Sequence, residues 1–473
     1  MVWAIRSAEQ GEAASKRLLQ CMKCLESLSR VLVRSWQLRS ALSADLLHCH
    51  DLQSLLEALV WLMRCGDHAL TCQGSALKYL PHAVPHLIRI YPDTQLSEYI
   101  VWALEALPLG RLSNQRLHAL LELVRGPLGA SAGPRAKLLP HLASTLRALL
   151  RAPAELEARS RSAGKAARLL GASACLPDHT HLTHIVELCV EALGEVVSLL
   201  ARDDVGPVEA DRGELARALL PTVLRIAATM MRDRNREEGI PNEDPLLRKL
   251  ICVLLDMVRQ MSEEQYTVVM RSLDAEGAGR GHTLVTDALA LMMALLQRPV
   301  FRPHWADMLH LQHYVMLHAL RLLATTLREK LTASEELEPE ASGAVHATMI
   351  EWFGAVGAVA ASPPLQLEAL PAARRQRATA LYGDIRRKAA ALLADMWFSL
   401  EDHKRFFITH LVGTFLEVSF LRDEEVRNTT IPLFFDMMQT EYKYTAESGE
   451  GNLRNFENEL IDKLDVLAEA GRG

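Results

Sequence analysis

Two cysteines three positions apart, Cys21-Met22-Lys23-Cys24, have the spacing with which a chain grips zinc or runs thiol–disulfide exchange. A structural zinc site needs a second ligand pair, and the nearest candidates, His48, Cys49 and His50, fall inside another predicted helical hairpin. On a helix, Cys21 and Cys24 share a face with Leu25 and Leu28, which predicts core packing. The densest histidine group is Asp178-His179-Thr180-His181-Leu182-Thr183-His184. There His181 and His184 fall one turn apart, as ligands of a transition metal can. The stretch follows Pro177 and opens an apolar helix (Ile185, Val186, Leu188, Cys189), so the expectation is an N-cap at Asp178 or Thr180 with a polar first turn. His310, His313 and His318 are scattered over a Leu-rich helix and predict positions on its rim.

The strongest charge feature is basic: Arg374, Arg375 and Arg377, then Arg386, Arg387 and Lys388. Such a run suits an anionic membrane or an acidic partner, but it more often forms a solvated helix face whose aliphatic stems cover apolar neighbours. Carboxylates are too many and too evenly spread to nominate an acid–base couple. The phosphate loop G-x-x-x-x-G-K-[ST], the nucleophile elbow G-x-S-x-G and the zinc-protease motif H-E-x-x-H do not occur. No catalytic, cofactor-binding or metal-binding residue is assigned, and no cofactor is expected.

The composition explains why. Of 473 residues, 49% are apolar but only 5% aromatic, with Leu and Ala dominant. Unbranched side chains and Ala lose little entropy in a helix, whereas strands favour β-branched and aromatic residues. The 52 basic and 58 acidic residues leave a formal charge of −6, interspersed along the chain. That pattern lacks the basic footprint of a nucleic-acid binder. No uninterrupted apolar run reaches the roughly 18 residues of a membrane span. The best stretches, 183–200 and 284–296, are broken by Glu187, Glu191, Glu195 and Asp287. Arg6, Glu9 and Glu12 stand where a secretory signal would need an apolar core. Eight spread cysteines fit a reducing compartment, so a cytoplasmic location is expected.

Helical periodicity recurs throughout. Leu52, Leu55, Leu56, Leu59, Leu62 and Met63 share one face before Cys65-Gly66. Leu284, Val285, Ala288, Leu291, Met292, Leu295 and Leu296 repeat it up to Arg298-Pro299, and Leu453, Phe456, Leu460, Ile461, Leu464 and Leu467 repeat it near the end. Ser262-Glu263-Glu264-Gln265 is a capping box. Prolines such as Pro81, Pro85, Pro127, Pro140, Pro221, Pro245 and Pro432 are expected at helix starts and breaks. Pro432 in particular is read as opening a core stripe of Phe434, Phe435, Met437 and Met438. Asn-Gly and Asp-Gly hairpin turns between alternating strands are missing. The expected fold is all-α, an armadillo- or HEAT-like α-solenoid of stacked helical hairpins at roughly 40–47 residues per unit. Residues 1–44 form a helical lead-in, 45–446 the repeat region, and 447–473 a linker with the last helix. Poorly ordered inserts are expected near 126–136, 152–178 and 332–343.

Several stretches carry a resemblance. Tyr382-Gly383-Asp384-Ile385-Arg386-Arg387, Asp395-Met396-Trp397-Phe398-Ser399-Leu400, Phe415-Leu416-Glu417-Val418 and the run from Ile431 to Tyr442 (IPLFFDMMQTEY) are distinctive. Phe456 to Asp465 (FENELIDKLD), Gly74-Ser75-Ala76-Leu77-Lys78-Tyr79-Leu80-Pro81 and Asp204-Val205-Gly206-Pro207 join them. Together they resemble the dedicator of cytokinesis (DOCK) family of guanine-nucleotide exchange factors, most closely its Rac-directed subfamily, in order from about residue 45 to the end. The resemblance implies the armadillo-like segment between a phosphoinositide-binding C2-like domain and the exchange domain, with Gly473 just ahead of the latter. It implies no enzyme activity for this chain. Exchange on a Rac-like GTPase, an ELMO-type adaptor and possible homodimerisation belong to the parent protein, with membrane contact only indirect and no nucleic acid. The alternative reading is a free-standing α-solenoid adaptor of another family.

Overall fold

The computed structural model describes residues 12–42, 50–108, 110–170, 179–236, 244–277, 279–333, 339–447 and 453–469, and among them every regular element is helical. The chain forms two compact units, Met1–Val223 and Leu224–Gly473.

The first unit contains α1 (Glu12–Lys23), α2 (Leu25–Leu42), α3 (His50–Arg64), α4 (Leu70–Leu87), α5 (Asp93–Ala106), α6 (Ser113–Arg125), the single turn α7 (Pro127–Ala130), α8 (Ala132–Leu170) and α9 (His179–Leu200). The division falls within α10 (Glu209–Arg236). Helices pack on the element two places along the chain: α2 on α4, α3 on α5, α4 on α6, and α6 on α8. Helices α3 and α5 start 43 residues apart, at 50 and 93, and α4 and α6 repeat the spacing at 70 and 113. A spacing near 43 is that of an armadillo or HEAT unit and longer than the 34 of a tetratricopeptide unit. The stripe read from the sequence on α3 is the buried one, with all six of Leu52, Leu55, Leu56, Leu59, Leu62 and Met63 sealed from solvent. Each such side chain contributes about 1.5–3 kcal/mol by leaving water.

The second unit runs through α11 (Pro245–Arg259), α12 (Glu263–Glu276), α13 (Arg280–Gln297), α14 (Ala306–Ala333), α15 (Pro339–Ala361), α16 (Ala372–Tyr382), α17 (Ile385–Phe398), α18 (Ile408–Ser419), α19 (Glu424–Glu447) and α20 (Arg454–Glu469). Again α15 packs on α17, α17 on α19, and α18 on α20. Two of these pairs start 46 residues apart, 339 to 385 and 408 to 454. The capping box forms as expected: Ser262 Oγ accepts from Gln265 N–H at 3.2 Å and Gln265 Oε1 from Ser262 N–H at 3.0 Å. A chain of edge-to-face rings ties α15, α17 and α18 together. Trp352 meets Phe353 at 5.1 Å, Phe353 meets Phe415 at 5.9 Å, and Phe415 meets Trp397 at 5.7 Å. Trp352 Nε1–H donates to the Leu320 carbonyl and Trp397 Nε1–H to Asp436, so neither indole is buried with an idle donor.

Several expectations are corrected. The segment 126–136 is not a flexible insert: α7 and the start of α8 occupy it, with Leu128, Gly129 and Arg135 buried. Its small residues serve close packing, since a Cβ on Gly129 would stand 1.7 Å from the Val124 carbonyl oxygen. In 152–178 the backbone is helical up to Leu170, and 171–178 lies outside the described residues. In 332–343 helix resumes at Pro339, and 334–338 is likewise outside. Pro127 and Pro245 do open helices, but Pro81, Pro85, Pro140, Pro221 and Pro432 sit inside them. Packing against neighbouring helices offsets the roughly 3 kcal/mol that an interior proline costs. The Pro432 stripe is rotated from expectation: Leu433 and Met437 are fully buried, whereas Phe435 is 60% exposed. The reading also passed over Gly343–Ala361, the one stretch among the described residues long and apolar enough to cross a membrane. Met349, Trp352, Phe353, Val356 and Val359 within it have no exposed surface, so core packing accounts for its apolarity.

Candidate functional site

The chemistry-bearing residues of the sequence are mostly kept apart or used as structure. Cys21 ends up half-buried near the close of α1, and Cys24 is exposed at the break between α1 and α2. The expected shared packing face is interrupted there, and Leu28 is itself exposed. His50 opens α3, while His48 and Cys49 lie outside the described residues. The helix after Pro177 starts at His179; Asp178 and the side chains of Thr180 and His181 are also outside, and His184 faces solvent. Among the described residues no three His, Cys, Asp or Glu side chains gather as a metal site.

The histidines of α14 are a correction. His310 and His313 are buried rather than on the rim. His313 Nδ1–H donates to the Leu309 carbonyl at 2.6 Å, and its Nε2 accepts from Ser362 Oγ at 2.8 Å. Burial pushes its pKa below the usual histidine value, so it stays neutral and pins α14 to the segment after α15. His318 Nε2–H reaches the Met261 carbonyl at 3.0 Å, tying α14 to the turn after α11.

The basic run divides. Arg374, Arg375 and Arg377 are exposed. Arg386, by contrast, is 1% exposed and gripped by carboxylates, with NH1 2.7 Å from Glu368 Oε2 and NH2 2.8 Å from Asp384 Oδ2. Arg387 pairs with Asp423 at 2.9 Å and with Glu425. Gly383, at φ +70°, makes the left-handed turn from α16 into α17 that an L side chain adopts only under strain, and Asp384 then caps α17 through the Arg386 N–H. The YGDIRR stretch is therefore a charged joint.

A matching joint holds the first unit. Arg135 is fully buried, its Nε 2.6 Å from Asp211 Oδ2. Its remaining N–H groups donate to the carbonyls of Gly129, Val205 and Pro207 at 3.0, 2.7 and 2.6 Å. Gly206, at φ +74°, turns those last two carbonyls toward the guanidinium. Sequence reasoning found the DVGP stretch but missed its partner Arg135, since nothing local marks contacts 70 and 72 positions apart.

An open groove of about 800 Å³ lies between α4 and α6. Leu77, Pro81, Leu112 and Ala119 line it, with Lys78, His82, His118 and Glu122 beside them. Its α4 wall is the Gly74–Pro81 stretch, and Leu112 enters α6 in a left-handed conformation (φ 52°). Glu122 is committed to Arg125, which also bonds Glu195 at 2.7 Å. Thr71 and Ser75 also line the groove, and the Ser75 hydroxyl donates to the Thr71 carbonyl at 2.9 Å.

Comparison with known proteins places this geometry. Residues 2–473 match the family described as "Dedicator of cytokinesis (DOCK) TPR region". Dedicator of cytokinesis protein 3 of Mus musculus is 25% identical over 96% of this chain, and so is its Homo sapiens counterpart. Dedicator of cytokinesis protein 4 of Mus musculus is 25% identical over 62%. The chain spans 21% of the length of the first two relatives and 14% of the third. A solved "Circular tandem repeat protein with novel repeat topology and enhanced subunit contact surfaces" aligns over 98% of this chain and 93% of its own, at 14% identity and a TM-score of 0.31, too distant to carry an argument. The family match also takes in residues 2–44, ahead of the resemblance that begins at about residue 45, and it sets aside the alternative of an adaptor from another family. With its helices stacked in neighbouring pairs, the chain belongs to the dedicator of cytokinesis family, as the helical region that the family description calls its TPR region.

Proposed function

We propose that the chain is the non-catalytic scaffold segment of an exchange factor acting on Rac-like small GTPases, in signalling to the cytoskeleton, migration and engulfment. It holds the parent's lipid-binding and exchange domains at a set separation and offers surface to protein partners. An ELMO-type adaptor, the GTPase and a second parent copy meet the parent protein, which is cytoplasmic and reaches the plasma membrane through its other domains. The observation that carries this reading is how the family-like stretches are used. Trp397 and Phe415 build the ring chain, Gly383, Asp384 and Arg386 the charged joint, and Val205 and Pro207 the collar around Arg135. Residues of that kind give stiffness, which is what a spacer needs.

The test uses the parent protein with Trp397→Ala, measuring GDP release from a Rac-like GTPase in solution and on anionic vesicles. Loosening the scaffold should slow release on vesicles and leave release in solution intact. Equal rates in both settings, or equal losses, would contradict positioning as the role.

A further inference from the structure

The short turn Glu401–Phe406 between α17 and α18 carries an arginine set differently from the others. The Arg405 guanidinium carbon lies 4.7 Å from the centre of the Phe406 ring and 5.5 Å from that of Tyr444 on α19. Both rings are 45% exposed, and Phe398 at the end of α17 is 49% exposed. Arg405 itself is exposed and has no carboxylate within ion-pair distance among the described residues. Its neighbour Lys404 differs, being paired to Asp436 at 2.8 Å while lying 5.1 Å from the Phe398 ring. Phe406 in turn stacks on the His346 ring at 4.9 Å and 23°. The rings thus fix a guanidinium in place and leave its planar fork uncommitted.

We propose that Arg405, with Phe406 and Tyr444, anchors a docking surface for an acidic segment of a partner protein. A carboxylate of that segment accepts two hydrogen bonds from the guanidinium, and an adjoining apolar side chain covers the exposed parts of the Phe406 and Tyr444 rings. Three physical points carry the choice of occupant. Charge complementarity points to an anion, because among the described residues no carboxylate pairs with Arg405, whereas its neighbour Lys404 is paired with Asp436. The pre-ordered fork suits a carboxylate's two oxygens and loses little entropy on pairing. Exposed aromatic rings around an arginine have the composition of an interface hot spot. An anionic lipid surface is the weaker fit, because lipid recognition draws on clusters of 4–8 basic residues. The surface stands on its own geometry and would hold for any parent that the chain serves.

The experiment uses the full chain and short labelled peptides bearing a Glu-Asp pair beside Leu or Phe, with matched peptides in which the acids become Gln-Asn. Binding is read by fluorescence anisotropy. Acidic peptides should bind and their amide counterparts should not. Arg405→Ala should weaken binding by about 30-fold or more, as removal of a hot-spot side chain does. Arg405→Lys should retain only part of the affinity, and melting temperature should be unchanged in both variants because the side chain is exposed. Equal binding of acidic and amide peptides, no binding of either, or wild-type affinity in Arg405→Ala would overturn the proposal. Binding to phosphatidylserine vesicles that is lost in Arg405→Ala, with peptides ignored, would assign the surface to lipid and overturn it equally.

Discussion

Arg135 in the first unit and Arg386 in the second are both sealed from solvent, yet their charges are balanced by different means. Arg135 has one carboxylate, Asp211, and three backbone carbonyls. Arg386 has Glu368 and Asp384 as partners and shares the neighbourhood with Arg387 and Asp423. Glu368 keeps 39% of its side chain in water and Asp211 only 8%. Carbonyls neither titrate nor leave, so the first joint is fixed by the backbone that surrounds it. The second is held by groups that can be protonated and screened. Two joints of similar appearance should therefore fail under different conditions.

The largest effect should come from Asp211→Ala, which strands the Arg135 charge in the interior. Breaking a buried pair in this way costs about 3–5 kcal/mol, read as a lower urea midpoint, and a loss below about 1 kcal/mol would remove the distinction. Gly129→Ala attacks the same collar through the backbone. Its Cβ would collide with the Val124 carbonyl, so the chain must shift and carry the Gly129 carbonyl away from Arg135. A cost of about 1–3 kcal/mol is expected.

Acid sharpens the contrast from the other side. The hydrogen bond from Arg386 holds the Glu368 carboxyl below its ordinary value of 4.5. Burial opposes ionisation of Asp423, but hydrogen bonds from Arg387 and the Val426 N–H still bring it below its ordinary 3.8. A depressed carboxylate binds fewer protons folded than unfolded, so its contribution is fully present above the unfolded value and is lost as pH falls through the folded one. Stability of the second unit should decline as pH drops below these ordinary values, and Glu368→Gln should flatten that decline. An unchanged acid limb in the variant would show that the joint does not titrate. Smallest of all should be Phe435→Ala, within about 0.5 kcal/mol, because its ring already lies in water.

That last figure marks where the sequence ran out. A helical period shows that a stripe exists, as on α3, but Phe434-Phe435 and Met437-Met438 are adjacent pairs, and period alone does not say which member faces inward. Proline reads as a stop locally, yet Pro81 and Pro432 are carried inside helices by tertiary packing that no local signal records. The YGDIRR stretch was visible as charge and read as a solvated or partner-binding face, because Glu368 and Asp423 reach it only after folding. The same holds for His313, whose partner Ser362 is 49 positions away. Arg405 did leave a trace, since His403-Lys404-Arg405 runs directly into the aromatic pair Phe406-Phe407, although only the fold brings Tyr444 to it.

The central claim, that this region is stacked helix serving as a spacer and carrying no exchange activity of its own, is tested most directly by GDP release from a Rac-like GTPase in the presence of the isolated chain. The account predicts a release rate equal to that of the GTPase alone at every chain concentration. A rate that rises with added chain would contradict it.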